Sequence, residues 1–280
     1  MRFKFIALPL MFIATTAGAE EYNSFTNAIY TSTDYTYSTT GSSGPTKYKS
    51  FDIDDFDLGT TYYFGGKETL GPLKEFEYIN KVSNVSAGFS HSNFDSENID
   101  IFTVGGEYFA SNGIIVGAGV YDLWESNVDY QSIGYLFSPD FLVKLNHVDN
   151  DSDNEFSMEA RYNHQLNSTD YVGFNLSVDE ESDNRVLSSK YFVHLSGEQY
   201  LTAELAYNSR NEYDDYWALG TEFFFSQRSS VEFDYDEQEN YKLGMTHFFN
   251  RNIAVEVAYH SNNDFSGDLD IYQLGLTVQL

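Results

Sequence analysis

The chain has 280 residues and no cysteine, and its 43 acidic against 15 basic residues give a formal charge of −28 at neutral pH. So acidic a chain is repelled by phosphates, which excludes a nucleic-acid partner; the lack of cysteine excludes disulfide staples and a lipidated cysteine. High net charge usually marks disorder, but 24 Phe and 23 Tyr carry too much ring surface for that and must be buried or held at an interface.

The first residues read as a secretory signal. Arg2 and Lys4 precede an apolar run over residues 5–14, and Ala17-Gly18-Ala19 forms a small-residue cleavage site. The run falls short of the about 20 residues a membrane-spanning helix needs. Removal of residues 1–19 is therefore expected, leaving residues 20–280 as one domain. No later run is long and apolar enough for a helical span. Polar average composition with abundant aromatics is the mark of a transmembrane β-barrel.

Strand-like segments with period-two alternation follow in order, centred near Tyr30, Leu58, Val85, Val104, Val116, Ile133, Val143, Met158, Phe174, Tyr191, Leu205, Leu219, Phe233, Leu243, Val257 and Leu276. That count predicts an all-β fold: a closed antiparallel transmembrane β-barrel of about sixteen strands, with fourteen to eighteen as the range, wound as an up-and-down meander. Two kinds of turn alternate. Ser111-Asn112-Gly113, Ser138-Pro139-Asp140, Gly197-Glu198-Gln199 and Asn250-Arg251-Asn252 are short and suit tight reversals. Residues 149–154, 179–184, 211–215, 236–240 and 261–270 are acidic loops. Short turns at one end and more elaborate loops at the other imply a periplasmic and an external side. Residues 65–73 read as a longer periplasmic turn, whose position argues against a constricting role. No long inward-folding loop is evident.

In the last segment Tyr272, Leu274, Leu276, Val278 and Leu280 alternate with Gln273, Gly275, Thr277 and Gln279. An uncovered half-apolar edge invites aggregation unless the sheet closes on itself. Aromatic pairs such as Tyr62-Tyr63-Phe64, Tyr108-Phe109, Phe223-Phe224-Phe225 and Phe248-Phe249 cluster at strand ends, as headgroup-level girdles do.

The same alternation assigns a lumen face. Its acidic pore-lining candidates are Asp55, Asp57, Glu107, Glu159, Asp179, Glu204, Glu222, Glu232, Asp234 and Glu256; its basic ones are Lys144, Arg161, Lys190 and Lys242. Sixteen strands leave an aqueous channel, and an excess of carboxylates favours cations. The expected function is passive diffusion of small hydrophilic solutes and ions with weak cation preference. Hydration of the wet face without selectivity is the bland alternative. Large inward residues such as Phe192, Phe224 and Phe248 suit a closed structural or adhesive barrel instead.

The stretch Leu70-Gly71-Pro72-Leu73-Lys74-Glu75-Phe76-Glu77-Tyr78-Ile79-Asn80-Lys81-Val82-Ser83-Asn84-Val85 resembles a Gly-Pro-Leu stretch of the general porins of Gram-negative bacteria. The resemblance implies an outer-membrane barrel that admits small hydrophilic solutes, without catalytic residues. It suggests a homotrimer. The expected partners are outer-membrane lipid and lipopolysaccharide, small polar solutes and, through the C-terminal strand, the barrel-assembly machinery. Terminal Leu280 departs from the aromatic that usually ends such chains.

Other constellations carry less. Asp149-Asn150-Asp151-Ser152-Asp153-Asn154-Glu155 lacks the Gly and flanking helices of a calcium loop and reads as a solvated loop. His91, His147, His164, His194, His247 and His260 show no metal-ligand spacing, so neither metal nor cofactor is expected. Ser90-His91 and His260-Ser261 are adjacent in sequence and so point to opposite faces. A hydrolase is the least favoured reading, and no enzyme activity is expected.

Overall fold

The computed structural model describes residues 21–39, 47–94, 97–123, 128–150, 153–180, 184–211, 213–262 and 267–280. The expected signal segment lies outside them, as do parts of the acidic loops. The strands in chain order are β1 (Glu21–Thr39), β2 (Lys47–Glu68), β3 (Asn84–Phe94), β4 (Glu97–Phe109), β5 (Ile114–Tyr121), β6 (Val128–Ser138), β7 (Phe141–Asn150), β8 (Asp153–Gln165), β9 (Tyr171–Asp179), β10 (Asn184–Ser196), β11 (Gln199–Arg210), β12 (Tyr213–Ser226), β13 (Ser229–Asp236), β14 (Asn240–Phe248), β15 (Ile253–Asn262) and β16 (Gly267–Gln279).

Every strand pairs antiparallel with its sequence neighbours, and β1 pairs with β16 to close the barrel. Closure removes the free edge that the alternating last segment would otherwise present. The seam runs from Phe25 opposite Gln279 to Tyr37 opposite Gly267. At its end Leu280 O accepts from the backbone N–H groups of Asn23 and Ser24, at 2.6 and 2.8 Å, and Leu280 N donates to Ser24 O at 2.8 Å. Leu280 makes these bonds through its backbone.

The tight turns work as their residues dictate. Gly113 and Gly197 sit at φ +90 and +58, where a side chain would be strained. Asn250 Oδ1 accepts from Asn252 N and Ile253 N at 2.7 and 2.9 Å, an Asx turn. These turns and the chain ends gather at one rim, the turn end; the acidic connections gather at the other, the loop end.

Alternation separates the two faces. Leu205, Leu243 and Leu274 point outward and remain 56%, 59% and 53% exposed. The chain's own described residues leave that apolar belt uncovered, and a closed barrel is the strand arrangement that leaves no unpaired backbone in hydrocarbon. The aromatic clusters, read above as girdles, divide between the faces instead. Phe64, Tyr108, Phe225 and Phe249 are exposed outside, whereas Phe224 and Phe248 are buried inside. Adjacent strand residues face opposite ways, so only half of each pair can reach lipid.

The largest departure from expectation lies between β2 and β3. Residues 69–83 are not a turn beneath the rim; they fold into the barrel and meet its far wall.

A candidate permeation site built by an inward-folded segment

Gly71 at φ +135 and Pro72 end the strand character of β2. A Cβ at Gly71 would fall 2.4 Å from the Tyr200 ring, so only glycine allows this approach. The segment closes on itself through Leu70 N to Glu75 O at 2.9 Å and Glu75 N to Pro72 O at 3.1 Å. Its tip then bonds across the barrel. Leu73 N donates to Gln227 O at 2.9 Å, and Gln279 Nε2 donates to Leu73 O at 3.1 Å.

Apolar anchors fix it on several sides. Leu73 packs with Phe248 and Ala254. Leu70 and Tyr78 lie on the buried set Tyr171, Phe192, Tyr200 and Phe224. Ile79 joins Ile115 and Leu142. Phe76 meets Phe25 edge-on with ring centroids 5.2 Å apart. Gly173 lies beneath Tyr78, where a Cβ would come within 2.5 Å of the ring. Phe192, Phe224 and Phe248 therefore do not fill the lumen by themselves; they seat this segment.

Charges fix it further. Lys74 Nζ is 2.6 Å from Glu222 Oε1 and donates to Thr246 Oγ1 at 3.4 Å. Glu75, only 5% exposed, accepts from Tyr171 OH at 2.6 Å and from Lys190 Nζ at 3.1 Å. Burial pushes the Glu75 carboxyl above the usual carboxylate range, against the pull of Lys190 and the Tyr171 hydroxyl. Burial likewise raises the Tyr78 hydroxyl.

All fourteen predicted residues stand on the strand face opposite the exposed apolar belt. The structure groups most of them in pairs. Lys144 Nζ reaches Glu107 at 2.8 Å and Glu159 at 3.8 Å; Arg161 Nε reaches Glu159 at 2.5 Å. Lys190 also lies 3.5 Å from Glu204. Lys242 bonds Glu232 at 2.9 Å and stands opposite Asp234 in register. Glu256 accepts from Thr246 at 3.3 Å. Asp55 and Asp57 stand apart on β2 and accept from Ser92 and Ser90. Asp179 sits at the loop end, accepting from Asn184. Lys74 and Glu75 were missed by strand alternation because they lie outside any strand. Their one sequence signal was the Gly-Pro pair that forbids β2 to continue.

Serine and histidine do not assemble as a catalytic set among the described residues. Ser90 faces inward to Asp57, whereas His91 faces outward to Asp100. Ser229 Oγ lies 2.8 Å from His247 Nδ1, and the neighbour on that ring is the edge-on Phe249, not the hydrogen-bonding acid of a catalytic triad.

A closed sixteen-stranded barrel with a bare apolar belt outside and ion-paired walls inside defines a channel-forming β-barrel of the bacterial outer membrane. The chain belongs to the family described as "Putative general bacterial porin", whose model matches residues 23–280; it is a general outer-membrane porin. No curated protein matches it in sequence. Among solved structures it is similar in fold to the outer membrane protein Omp33 of Acinetobacter baumannii, at 17% identity and TM-score 0.55, over 94% of this chain and 100% of that one. It is also similar to Pseudomonas aeruginosa OpdQ, at 8% identity and TM-score 0.51, over 93% and 97%. A mutant of the Rh. blastica porin matches at 12% identity and TM-score 0.50, over 91% and 100%. In outer-membrane barrels the short turns face the periplasm, so the inward-folded segment narrows the periplasmic end.

Proposed function

We propose that this porin is a constricted diffusion pore for small hydrophilic solutes with a weak preference for cations. The observation that carries the reading is the state of the wall charges. Lys144, Arg161, Lys190, Lys242 and Lys74 are each engaged in an ion pair, whereas the inward carboxylates Asp55 and Asp57 accept from serines and pair with no base among the described residues. Paired bases present little free positive charge to a passing ion, and unpaired carboxylates in a narrow low-dielectric lumen attract cations. Reversal potentials across a planar bilayer in a KCl gradient test the reading. A modest shift toward the potassium equilibrium potential is expected; a shift toward chloride contradicts it.

One observation favours a second reading, a closed structural barrel: residues 69–83 touch the wall on most sides of the periplasmic mouth. Absence of any single-channel steps would support that reading against the pore. Export with removal of residues 1–19, assembly through the C-terminal strand and a homotrimeric state belong to the same proposal. Mass spectrometry and chemical cross-linking of the protein in outer membranes test them.

A further inference from the structure

Most of the inward wall is polar, ion-paired or bare, but the loop end of β1–β4 is not. Across the strands one row runs Ile29, Asp57, Ser90, Ile101, and the next runs Thr31, Asp55, Ser92, Ile99. Above them Ile53 stands opposite Phe94, and Phe51 stacks on Phe94 with centroids 5.7 Å apart. Ile99 and Phe94 remain 54% and 42% exposed on a face that lines the outer mouth. Asp55 and Asp57 accept from Ser92 and Ser90 at 2.5 Å; neither forms an ion pair among the described residues. The next inward base along β2 is Lys49, six residues beyond Asp55, about 20 Å along a strand.

This combination is more than either part needs alone. Carboxylates that only keep a wall wet require no apolar frame, and a contiguous exposed apolar patch beside them offers a ligand surface that scattered apolar residues do not. We propose that the inward face of β1–β4 at the outer mouth is a subsite for organic cations: an ammonium or guanidinium group on a small apolar or aromatic body. The charge sits between Asp55 and Asp57, which lie about 7 Å apart on one strand face. The body lies on Ile53, Phe94 and Ile99, where the ring of Phe94 adds a face attractive to cations. The subsite rests on the cation-preferring reading above and names the class of solute that reading leaves open.

Phenethylammonium chloride is the probe, with ethylammonium and phenylacetate as controls. Added on the loop side of a bilayer carrying the full mature barrel, phenethylammonium should reduce potassium current at a concentration at least tenfold lower than ethylammonium, and phenylacetate should not act. Asp55→Asn with Asp57→Asn should raise the half-blocking concentration about tenfold or more. Ile53→Ser with Ile99→Ser should abolish the difference between the two amines. Equal action of all three probes, or block unaffected by the paired Asn substitutions, overturns the proposal. Binding is read separately by saturation-transfer NMR from the detergent-solubilised barrel. Transfer to phenethylammonium that is lost in the Asn pair supports the subsite even if reversal potentials show no cation preference, which would sink only the porin selectivity. Absence of transfer in the unsubstituted protein overturns the subsite itself. Heat-modifiable electrophoretic mobility identifies variants that have formed a barrel.

Discussion

Glu75 concentrates the energetics of the inward fold in one side chain. A buried carboxylate costs free energy unless paired and hydrogen-bonded, and here Lys190 and the Tyr171 hydroxyl supply both. Removing one partner of such a pair leaves the other uncompensated. Lys190→Met should therefore weaken seating of the segment, by about 3 kcal/mol if the pair behaves as other buried pairs do. Hydrogen exchange at residues 70–82 measures it, and unchanged protection contradicts the assignment. The sign of the pH effect follows from the raised carboxyl. The seated segment holds the Glu75 proton more tightly than the released one. That contribution is complete below the ordinary carboxylate pKa and is lost as pH rises through the elevated value. Exchange protection should fall from acid toward neutral pH, and Glu75→Gln should flatten the profile. Protection that rises with pH in the unsubstituted protein would contradict the assignment. None of this chemistry was legible in the sequence, because a carboxylate in an irregular stretch carries no periodic sign of what it will meet.

At the scale of elements, the strands were legible and the segment between two of them was not. The side-chain period of a strand is two, so one reading of Val231-Glu232-Phe233-Asp234-Tyr235 settles which residues face out. Each predicted strand centre falls within an observed strand. Residues 69–83 have no period, and their path is dictated by long-range partners: Phe248 and Ala254 for Leu73, Ile115 and Leu142 for Ile79. A trace of it was visible, in that the inward aromatics Phe192, Phe224 and Phe248 all lie near turns of one rim and are too large for a wet wall without a cover. Leu73→Asp places a charge among those apolar partners. It should release the segment while leaving the barrel closed, because Leu73 takes no part in strand pairing and its bonds run only to the Gln227 carbonyl in a turn and the Gln279 side chain. Limited proteolysis within residues 70–82 should accelerate at least several-fold with barrel mobility on gels unchanged; cleavage at the original rate would mean that Leu73 does not anchor the segment.

For the molecule as a whole, the question is how charge on a cylinder becomes selectivity. Most inward acids pair with a base, whereas Asp55 and Asp57 on β2 accept from serines and Glu256 on β15 accepts from Thr246. Total charge was readable from composition, but its pairing was not, since cross-strand neighbours come from register. Replacing Glu204, Glu232 and Glu256 together by Gln removes three carboxylates and releases Lys242 from Glu232. Cation preference should diminish or reverse in bilayer reversal potentials. Unchanged selectivity would mean that these residues do not line the path.

A channel throttled by residues 69–83 should widen when they are removed. Single-channel conductance of the protein is therefore to be set beside that of a variant in which residues 70–82 are replaced by a short Gly-Ser turn. Small but discrete steps are expected from the first, and steps several-fold larger from the second. Equal conductance in both, or none in either, would contradict throttling by this segment.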